Sequence, residues 1–371
     1  MNLFVYGTLQ SLELMRAVAG GAIGAPFAAR LVGYQVLPVA GGVVPLIKSA
    51  PGQTAQGVVF TDLTDAQAAR LDSYEGAFGY KAEPVEVETA NGPTRAQCYM
   101  PLPELMAGEG PWSFSVWQSD HERPAVFAVQ ELFSHDPIPD HDTLRSMWPM
   151  MEARAWARHR ATAGPATLRH TPRDGDIKVL DRKPPLGHFF RYQRFSVRHS
   201  QFRGGQSDLL SREIFEGVDA AILLPYDPVS DRVLLVEQLR FGPVIRNDPN
   251  PWMLEPVAGI VDARETPEDA ARREALEEAG ITLRDLAFSG SFYPSPGAST
   301  DYFYTYVGLC DLPMNEAYLG GIAGESEDLR LHPISFLGAM DLLDTGEIAT
   351  GPLFFLLYWL SRHRDRLRGL T

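Results

Sequence analysis

The chain has 371 residues, 45% of them hydrophobic and 22% charged, and a formal net charge of −14. This length is enough for two domains with separate cores, and the composition is that of an ordinary globular protein. The acidic balance without a basic stripe argues against nucleic acid as a partner. The longest apolar run, Leu353 to Leu360, is too short to cross a membrane, so no membrane association is expected.

The first predicted element is a strand at residues 2–9, NLFVYGTL, which runs into a turn. Further along come LVGY at 31–34, GVVF at 57–60, LDSYEG at 71–76 and the alternating run PVEVE at 84–88. Together these segments resemble the gamma-glutamylcyclotransferase-like (AIG2-like) family over about residues 1–105. The resemblance implies a β-barrel domain.

The same resemblance implies a site in this barrel. Backbone N–H groups of a loop would bind a substrate carboxylate, and Glu75 would be the acid/base that lets an amine attack a side-chain amide and release 5-oxoproline. The loop residues are Tyr6, Gly7, Thr8 and Leu9. The alternative is a barrel that binds a ligand or mediates dimerisation without turnover.

Residues 106–175 have a different composition and predict a helical connector packed on the first domain. Helical periodicity runs over residues 125–133 and again from Asp142 to Arg160, with Pro137, Pro139 and Gly164-Pro165 at the ends. The stretch RHTPRDGD at 169–176 is the predicted hinge. The two cysteines, Cys98 and Cys310, fall in different predicted domains, which predicts no disulfide and favours a reducing, cytoplasmic location.

The rest of the chain, 176–371, is predicted to form a second domain. Residues 176–216 are expected to supply a small antiparallel sheet that acts as an arm. The runs AAILLP at 220–225 and VLLVEQLR at 233–240 follow as two strands, separated by the turn Asp227-Pro228.

The segment 258–281, AGIVDARETPEDAARREALEEAGI, is the most informative part of the chain. Thr266 is a suitable N-cap and Gly280 a suitable left-handed stop for a helix between them. At about 100° per residue, three glutamates of this helix share one face. They are Glu274, Glu277 and Glu278.

Like charges so close would repel, and their burial without partners would cost several kcal/mol, whereas a divalent cation would resolve the conflict. A solvated acidic face is the alternative interpretation of this helix. Four further residues at fixed distances from these glutamates favour a metal site over a solvated face, because a surface helix does not need them. They are Gly259, Glu265, Arg273 and Gly280. We expect Glu265 and Arg273 to pair and brace the loop against the helix.

The whole pattern, Gly-x5-Glu-x7-Arg-Glu-U-x-Glu-Glu-x-Gly-U with U aliphatic, resembles the Nudix box. That family cleaves nucleoside diphosphates linked to another moiety. Residues 176–371 are similar to its ADP-ribose pyrophosphatase branch through WMLEPVAG at 252–259, YPSPG at 293–297 and GESED at 324–328. The resemblance implies an α+β chain in which a Nudix α/β/α sandwich with a mixed sheet follows the barrel and the connector.

Residue roles follow from this resemblance. The metal, Mg²⁺ or Mn²⁺, would be held by the carbonyl of Ala258 and the carboxylates of Glu274, Glu278 and Glu327. Glu277 would be a further, or water-mediated, ligand. Glu325 would be the base that activates water, although the roles of Glu325 and Glu327 are open to exchange.

The resemblance also implies substrate contacts. Phe189 and Phe190 correspond to an aromatic position that sandwiches adenine, and Arg212 and Arg240 correspond to residues that contact the phosphates or the terminal ribose. Pro296 stands where ADP-ribose enzymes of the family have a proline, and Glu213 and Asp301 complete the implied substrate site. Gly217 stands where the family often has Arg, and Asp301 where it often has Glu. Relatives exchange the arm between subunits, so a homodimer is expected.

The implied function is metal-dependent hydrolysis of ADP-ribose to AMP and ribose 5-phosphate. Two alternatives remain open at this stage. One is a hydrolase of another nucleoside-diphosphate sugar that uses the same residues. The other is a non-catalytic sensor, in which an inert Nudix fold is joined to an amino-acid-binding barrel.

Overall fold

A computed structural model of the protein describes residues 1–162, 164–314, 317–321 and 327–369. The chain divides into two compact units. Unit 1 comprises Met1–Phe189 and Arg194–Ser211, and unit 2 comprises Phe190–Gln193 and Arg212–Thr371. The division falls later in the chain than the boundary expected at residue 175.

Unit 1 contains a closed barrel, which confirms the β-barrel expected from the sequence, and its five strands have the order β1-β3-β2-β4-β5. Strand β1 runs antiparallel to β3 and parallel to β5, which closes the barrel. The strands are β1 Leu3–Val5, β2 Phe27–Pro38, β3 Pro45–Phe60, β4 Tyr80–Thr89 and β5 Gly92–Pro101.

Two helices and one 3-10 turn belong to the barrel domain: α1 Leu12–Ala19, α2 Asp65–Ala77 and the turn Thr8–Gln10. Helix α2 begins at a capping box, in which Thr64 and Gln67 satisfy each other's backbone N–H groups. Its position matters because α2 carries Glu75.

The connector is helical, as predicted, and forms α3 Phe114–Leu132 and α4 His141–Arg160. Helix α3 begins well before residue 125 and continues through Pro124. A proline inside a helix costs one hydrogen bond and is normally a sign of a helix end, which hides this start in the sequence. Helix α4 packs on α2 through Trp148, whose ring lies 4.7 Å from that of Phe78.

The expected arm has three strands, β6 Ile177–Arg182, β7 Arg191–His199 and β8 Leu210–Glu216. Strands β6 and β7 pair antiparallel, with Ile177 opposite His199. The role of this small sheet as an arm stays a prediction.

Unit 2 contains an eight-stranded sheet whose main path is β13-β14-β9-β10-β16-β15, with β11 on β10 and β12 on β9. Strand β14 is parallel to β9 and the other pairings are antiparallel, so the sheet is mixed. The strands are β9 Asp219–Asp227, β10 Arg232–Leu239, β11 Trp252–Glu255, β12 Val257–Ile260, β13 Asp285–Phe292, β14 Tyr302–Leu309, β15 Tyr318–Gly320 and β16 Leu329–Ser335.

Helices cover both faces of this sheet, which confirms the predicted sandwich. They are α6 Pro267–Ala279, α7 Phe336–Thr345 and α8 Gly351–Leu367, while the short helix α5 Phe241–Arg246 has no buried residue. Helix α6 buries a row of alanines, Ala270, Ala271, Ala275 and Ala279, against one face. Helices α7 and α8 pack apolar side chains on the other. Small residues let α6 lie close to the strands, which brings its glutamates near the backbone of the sheet.

Both cysteines are free and buried, as the sequence predicted. Within the described ranges, no helix has the length and apolar character needed to span a membrane.

Gly57 tests the packing of the barrel. A Cβ atom at this position would lie 2.3 Å from the carbonyl oxygen of Val5 and 2.7 Å from the ring of Phe4. Gly57→Ala should therefore destabilise the barrel by about 1–3 kcal/mol, the usual cost of overpacking. Gly24→Ala is the matched control, because nothing lies within 4 Å of its Cβ position. Chemical denaturation of both variants measures the difference, and equal midpoints would contradict the packing described.

Candidate active site

Helix α6 has the ends that the sequence predicted. The Thr266 hydroxyl accepts the N–H of Asp269 at 3.1 Å, and Pro267 occupies the first turn. Gly280 ends the helix in the left-handed conformation, with φ 66°. The Thr266 hydroxyl in turn donates to the Asp269 carboxylate at 2.6 Å. These ends fix which face of α6 carries its glutamates.

The predicted pair between Glu265 and Arg273 is present and extends further than expected. Arg273 donates to both oxygens of Glu265, at 3.0 and 3.1 Å, and to the Ile260 carbonyl at 3.0 Å. It also contacts Glu274 at 2.5 Å and Glu277 at 2.8 Å. These carboxylates, Glu265 first, raise the pKa of Arg273 above its usual range. A permanent positive charge therefore lies among the acidic side chains.

Glu278 points into the protein and is only 4% exposed. Burial and, after it, the charges of Glu274 and Glu327 together raise its pKa to about 8, although the Ala258 N–H at 3.3 Å opposes them. Burial also raises the pKa of Glu274, and the Arg273 charge opposes that effect. The structure thus brings together three of the predicted ligands, Glu274, Glu278 and Glu327, with the backbone of Ala258.

Glycines allow the sheet to approach α6 closely. A Cβ on Gly259 would lie 1.8 Å from Glu274 Oε1, and one on Gly320 would lie 2.2 Å from the Glu278 carbonyl oxygen. The Gly321 N–H donates to that same carbonyl at 2.9 Å. Side chains at Gly259 and Gly320 would force the carboxylates and the helix away from the strands.

Glu255 and Gln238 lie near this site and were not predicted from the sequence. Glu255 accepts hydrogen bonds from Arg240 at 2.8 Å and from Gln238 at 3.0 Å. The Arg240 charge is close enough to lower the pKa of Glu278, so this network borders the carboxylates. Gln238 lies near the end of β10 and Arg240 directly after it, two residues further on, and this extended spacing was the cue in the sequence that they share a side. The contact with Glu255 depends on the pairing of β10 with β11, which composition does not specify.

The carboxylates suit a hard divalent cation by their chemistry. Mg²⁺ prefers carboxylate and carbonyl oxygens, and buried like charges are costly without a counter-ion. Within the described part of the chain, however, no three His, Cys, Asp or Glu side chains are arranged to hold an ion. Arg273 holds Glu274 and Glu277 instead. The carboxylate and carbonyl oxygens fit a divalent cation, and in the structure the Arg273 guanidinium supplies positive charge to Glu274 and Glu277.

The other predicted site residues of the second half are more dispersed. Arg212, Glu213 and Pro296 are exposed. Strand β8 and the loop with Pro296 are joined by two backbone hydrogen bonds, from Phe215 to Ala298 at 2.8 Å and from Thr300 to Phe215 at 3.0 Å. Glu325, the predicted base, lies outside the described residues.

The two positions that depart from the resembled family are in contact. A Cβ on Gly217 would lie 1.6 Å from Asp301 Oδ1, so the aspartate occupies the space that a side chain at 217 would need. The Gly217 N–H donates to the Thr300 hydroxyl at 3.0 Å.

Phe189 and Phe190 are 53% and 59% exposed, and Phe189 belongs to unit 1. Phe190 belongs to unit 2, as do the residues gathered around α6.

The barrel loop is held by its own hydrogen bonds. The Tyr6 hydroxyl donates to the Tyr99 carbonyl at 2.9 Å, and the Gln10 amide donates to the carbonyls of Tyr6 and Gly7 at 2.9 and 3.3 Å. Leu9 is buried, and Thr8 begins the 3-10 turn. The loop is therefore fixed before any ligand binds.

Glu75 is a desolvated carboxyl group in this barrel domain. Burial raises its pKa to about 8. Its charge raises the pKa values of four barrel residues, Tyr6, Tyr80, Cys98 and Tyr99. Among the described residues no hydrogen bond reaches its carboxylate, and the residue keeps partial contact with solvent. A carboxyl group in this state is suited to exchange a proton or bind a polar ligand.

Comparisons with known proteins match both halves of the chain. A family model described as gamma-glutamyl cyclotransferase, AIG2-like, matches residues 3–116, and a NUDIX domain model matches residues 217–344. An ADP-ribose pyrophosphatase from Escherichia coli is 37% identical over 194 residues, which cover 52% of this chain and 92% of that protein. One from Haemophilus influenzae is 34% identical over 195 residues, covering 52% of this chain and 89% of that protein.

A GDP-mannose pyrophosphatase from Enterobacter sp. is 30% identical over 150 residues, covering 40% of this chain and 77% of that protein. A solved structure described as an ADP compounds hydrolase shares 19% identity at a TM-score of 0.40, covering 52% of this chain and 98% of that chain. The chain therefore belongs to the Nudix hydrolases and carries an AIG2-like gamma-glutamyl cyclotransferase domain in its first half. It is an enzyme that hydrolyses a nucleoside diphosphate, in a family that generally depends on a divalent metal.

Glu75 predicts an unusual pH dependence of stability. The unfolded carboxyl has a pKa of 4.5, whereas the folded one titrates at about 8. The folded state binds this proton more tightly than the unfolded state does. The contribution of Glu75 to the free energy of unfolding is therefore complete below the unfolded pKa and is lost as the pH rises through 8. Glu75→Gln should remove this loss, a gain of a few kcal/mol over wild type at high pH. Denaturation across a pH series measures it, with Glu86→Gln, an exposed strand position, as the control. Parallel curves for wild type and Glu75→Gln would show that Glu75 is not desolvated.

Proposed function

We propose that the protein hydrolyses ADP-ribose to AMP and ribose 5-phosphate with Mg²⁺, or Mn²⁺ in its place. Two relatives that match over about nine-tenths of their own length are ADP-ribose pyrophosphatases. The observation that carries the proposal is the buried Glu278, whose proton affinity is raised by burial and by two neighbouring carboxylates. Such a cluster is stable as an ionised set only with added positive charge.

In this proposal the metal is held by the carbonyl of Ala258 and the carboxylates of Glu274, Glu278 and Glu327, with Glu277 as a further ligand. When bound, the cation neutralises the diphosphate and lowers the pKa of water. Arg240, held by Glu255, donates to phosphate oxygens. Glu325 removes the proton from the attacking water, and Glu327 is the alternative base.

Substrate recognition in this proposal combines stacking with polar contacts. Phe189 and Phe190 stack on the adenine, for which their exposed rings are suited. The remaining contacts are assigned to Arg212, Glu213, Pro296 and Asp301. A second candidate substrate is another nucleoside-diphosphate sugar, because a relative at 30% identity is a GDP-mannose pyrophosphatase.

Glu278→Gln should lower kcat by orders of magnitude, because it removes a charged ligand while keeping the shape of the side chain. Folding stability should stay the same or rise, since a neutral amide is less costly to bury than a carboxylate. Glu268→Gln is the matched control on the same helix, exposed and paired only with Arg272. The assay separates AMP from ADP-ribose by chromatography, with GDP-mannose as a competing substrate.

If Glu278→Gln turned over normally, the metal assignment would be wrong. Binding of ADP-ribose by the wild type without cleavage would favour a sensor. Cleavage of GDP-mannose alone would establish the second candidate substrate.

For the barrel we propose a second site, in which Glu75 acts as acid/base on a substrate whose carboxylate is bound by the loop of Tyr6, Gly7, Thr8 and Leu9. The support is the raised pKa of Glu75 and the absence, among described residues, of a hydrogen bond to it. Release of 5-oxoproline from gamma-glutamyl amines by wild type but not by Glu75→Gln tests this. Equal release, or none from either, would leave the barrel as a binding module. Cleavage of ADP-ribose should be unaffected by Glu75→Gln.

We also propose a homodimer that associates through the arm. Several apolar side chains there are more than half exposed, including Ile177, Leu180 and Leu186 at 63%, 57% and 66%. Exposed apolar patches of this kind mark protein interfaces. The free, buried thiols fit a reducing compartment, and we place the protein in the cytoplasm.

A further inference from the structure

Helix α4 of the connector packs on the last turn of α2, the turn that carries Glu75. Arg145 Nη1 donates to the carbonyl oxygen of Ala77 at 3.1 Å. The His141 ring fills the place of a side chain at Gly76, where a Cβ would lie 2.5 Å from its Cε1 and 3.0 Å from its Nε2. Glycine at this position therefore lets α4 approach the backbone of α2 directly after Glu75. Both helices belong to unit 1.

Aromatic and apolar packing completes this contact. The Trp148 ring lies 4.7 Å from the ring of Phe78 and 6.2 Å from that of Tyr74, and the latter two rings are 5.3 Å apart. Three buried residues of α4 pack with Ala77, and they are Leu144, Met147 and Met151. Helix α4 therefore contacts the chain on both sides of Glu75.

The end of α2 needs partners for its last carbonyl groups, because these groups have none within the helix. The carbonyls of Glu75 and Gly76 accept backbone N–H groups of the residues that follow the helix, at 3.1 and 3.3 Å. The carbonyl of Ala77, the last residue of α2, accepts from Arg145 instead. A positive charge at this end also interacts favourably with the helix dipole. The connector thus supplies the bond that closes the last turn.

The raised pKa of Glu75 is caused by burial. Other groups respond to its charge, and burial raises their own pKa values, so they are neutral near neutral pH. They are Tyr6, Tyr74, Tyr80, Cys98 and Tyr99. The charged or titratable residues in the first turns of α4 are His141, Asp142, Arg145 and Glu152. Since the charge of Arg145 is not a cause of the raised pKa, a shift on altering Arg145 would report a change in the burial of Glu75.

We propose that α4 is part of the barrel site, in which Arg145 and His141 are positioning residues for Glu75. This inference rests on the acid/base role proposed for Glu75. Arg145 closes the last turn of α2 and His141 lies against its backbone, so the carboxyl is held in one position and water is kept out of the turn. The matched gamma-glutamyl cyclotransferase domain ends at residue 116, and the inference extends its site into the connector.

The test is an NMR titration of the Glu75 carboxyl carbon in the full-length protein with isotopically labelled glutamate. The resonance is identified by its loss in Glu75→Gln. Arg145→Met keeps the aliphatic stem and removes the donor. The pKa of Glu75 should fall by about half a unit to one unit, the worth of one hydrogen bond, because water enters a looser turn. An unchanged titration would overturn the inference.

Asp142→Asn is the matched control. Asp142 pairs with Arg145 and its side chain is 91% exposed, so this variant removes the ion pair and leaves the donor to Ala77 in place. Its titration should match wild type, since exposed ion pairs contribute little. A shift equal to that of Arg145→Met would assign the effect to the ion pair and overturn the role of the carbonyl bond.

Two further variants test each positioning residue. Arg145→Lys keeps a charge and a donor, so it should recover at least part of the shift, and a titration like that of Arg145→Met would count against the bond to Ala77. His141→Ala removes the ring beside Gly76 at an exposed position, where the fold tolerates the change even if Arg145→Met does not fold. It should lower the pKa of Glu75 as well, and an unchanged value would remove His141 from the proposal.

Release of 5-oxoproline from gamma-glutamyl amines separates this inference from the proposed barrel activity. If wild type releases it, Arg145→Met should move the limb of the pH–rate profile that depends on Glu75 to lower pH, with KM within about twofold of wild type. A lower rate at every pH with the limb unmoved would indicate a purely structural role and overturn the inference. If wild type releases none, the acid/base role is wrong, and the titration alone decides whether α4 positions the carboxyl.

Discussion

The active-site half of the protein depends on one electrostatic repulsion, which arises because several carboxylates lie close together between α6 and the sheet. Glu278 is buried and Glu274 lies against Gly259, and burial, together with neighbouring carboxylates that include Glu327, raises the pKa of both. Arg273 offsets part of this repulsion and at the same time ties the helix to the preceding loop through Glu265. The alanine row on α6 and the glycines on β12 and β15 are the packing that makes so close an approach feasible.

Much of this could be predicted from the sequence, because the pattern of α6 is local. The cap at Thr266, the stop at Gly280 and the pair between Glu265 and Arg273 all depend on residues a few positions apart. The barrel and the mixed sheet were expected because segments of the chain resemble two known families. The geometry of such a pattern is set by residues a few positions apart, so it is the part of a structure that is easiest to predict from sequence.

Features that depend on long-range contacts were less accessible. The network of Glu255 with Arg240 and Gln238 requires the pairing of two strands. The bond from Arg145 to Ala77 joins residues with no common pattern. The early start of α3 was hidden by Pro124, and the boundary between units fell beyond residue 175 because β6 and most of β7 belong to unit 1. Glu325 lies outside the described residues, so its assignment remains a prediction.

The contact between Gly217 and Asp301 bears on how this sequence can change. An arginine introduced alone at 217 would meet the aspartate at 1.6 Å from its Cβ, so the substitution would be penalised while Asp301 keeps its present rotamer. A rotation of the Asp301 carboxylate out of this space is the smallest change that admits a side chain at 217. The energetic effect of a substitution at 217 therefore depends on which residue stands at 301, and the two positions are epistatic.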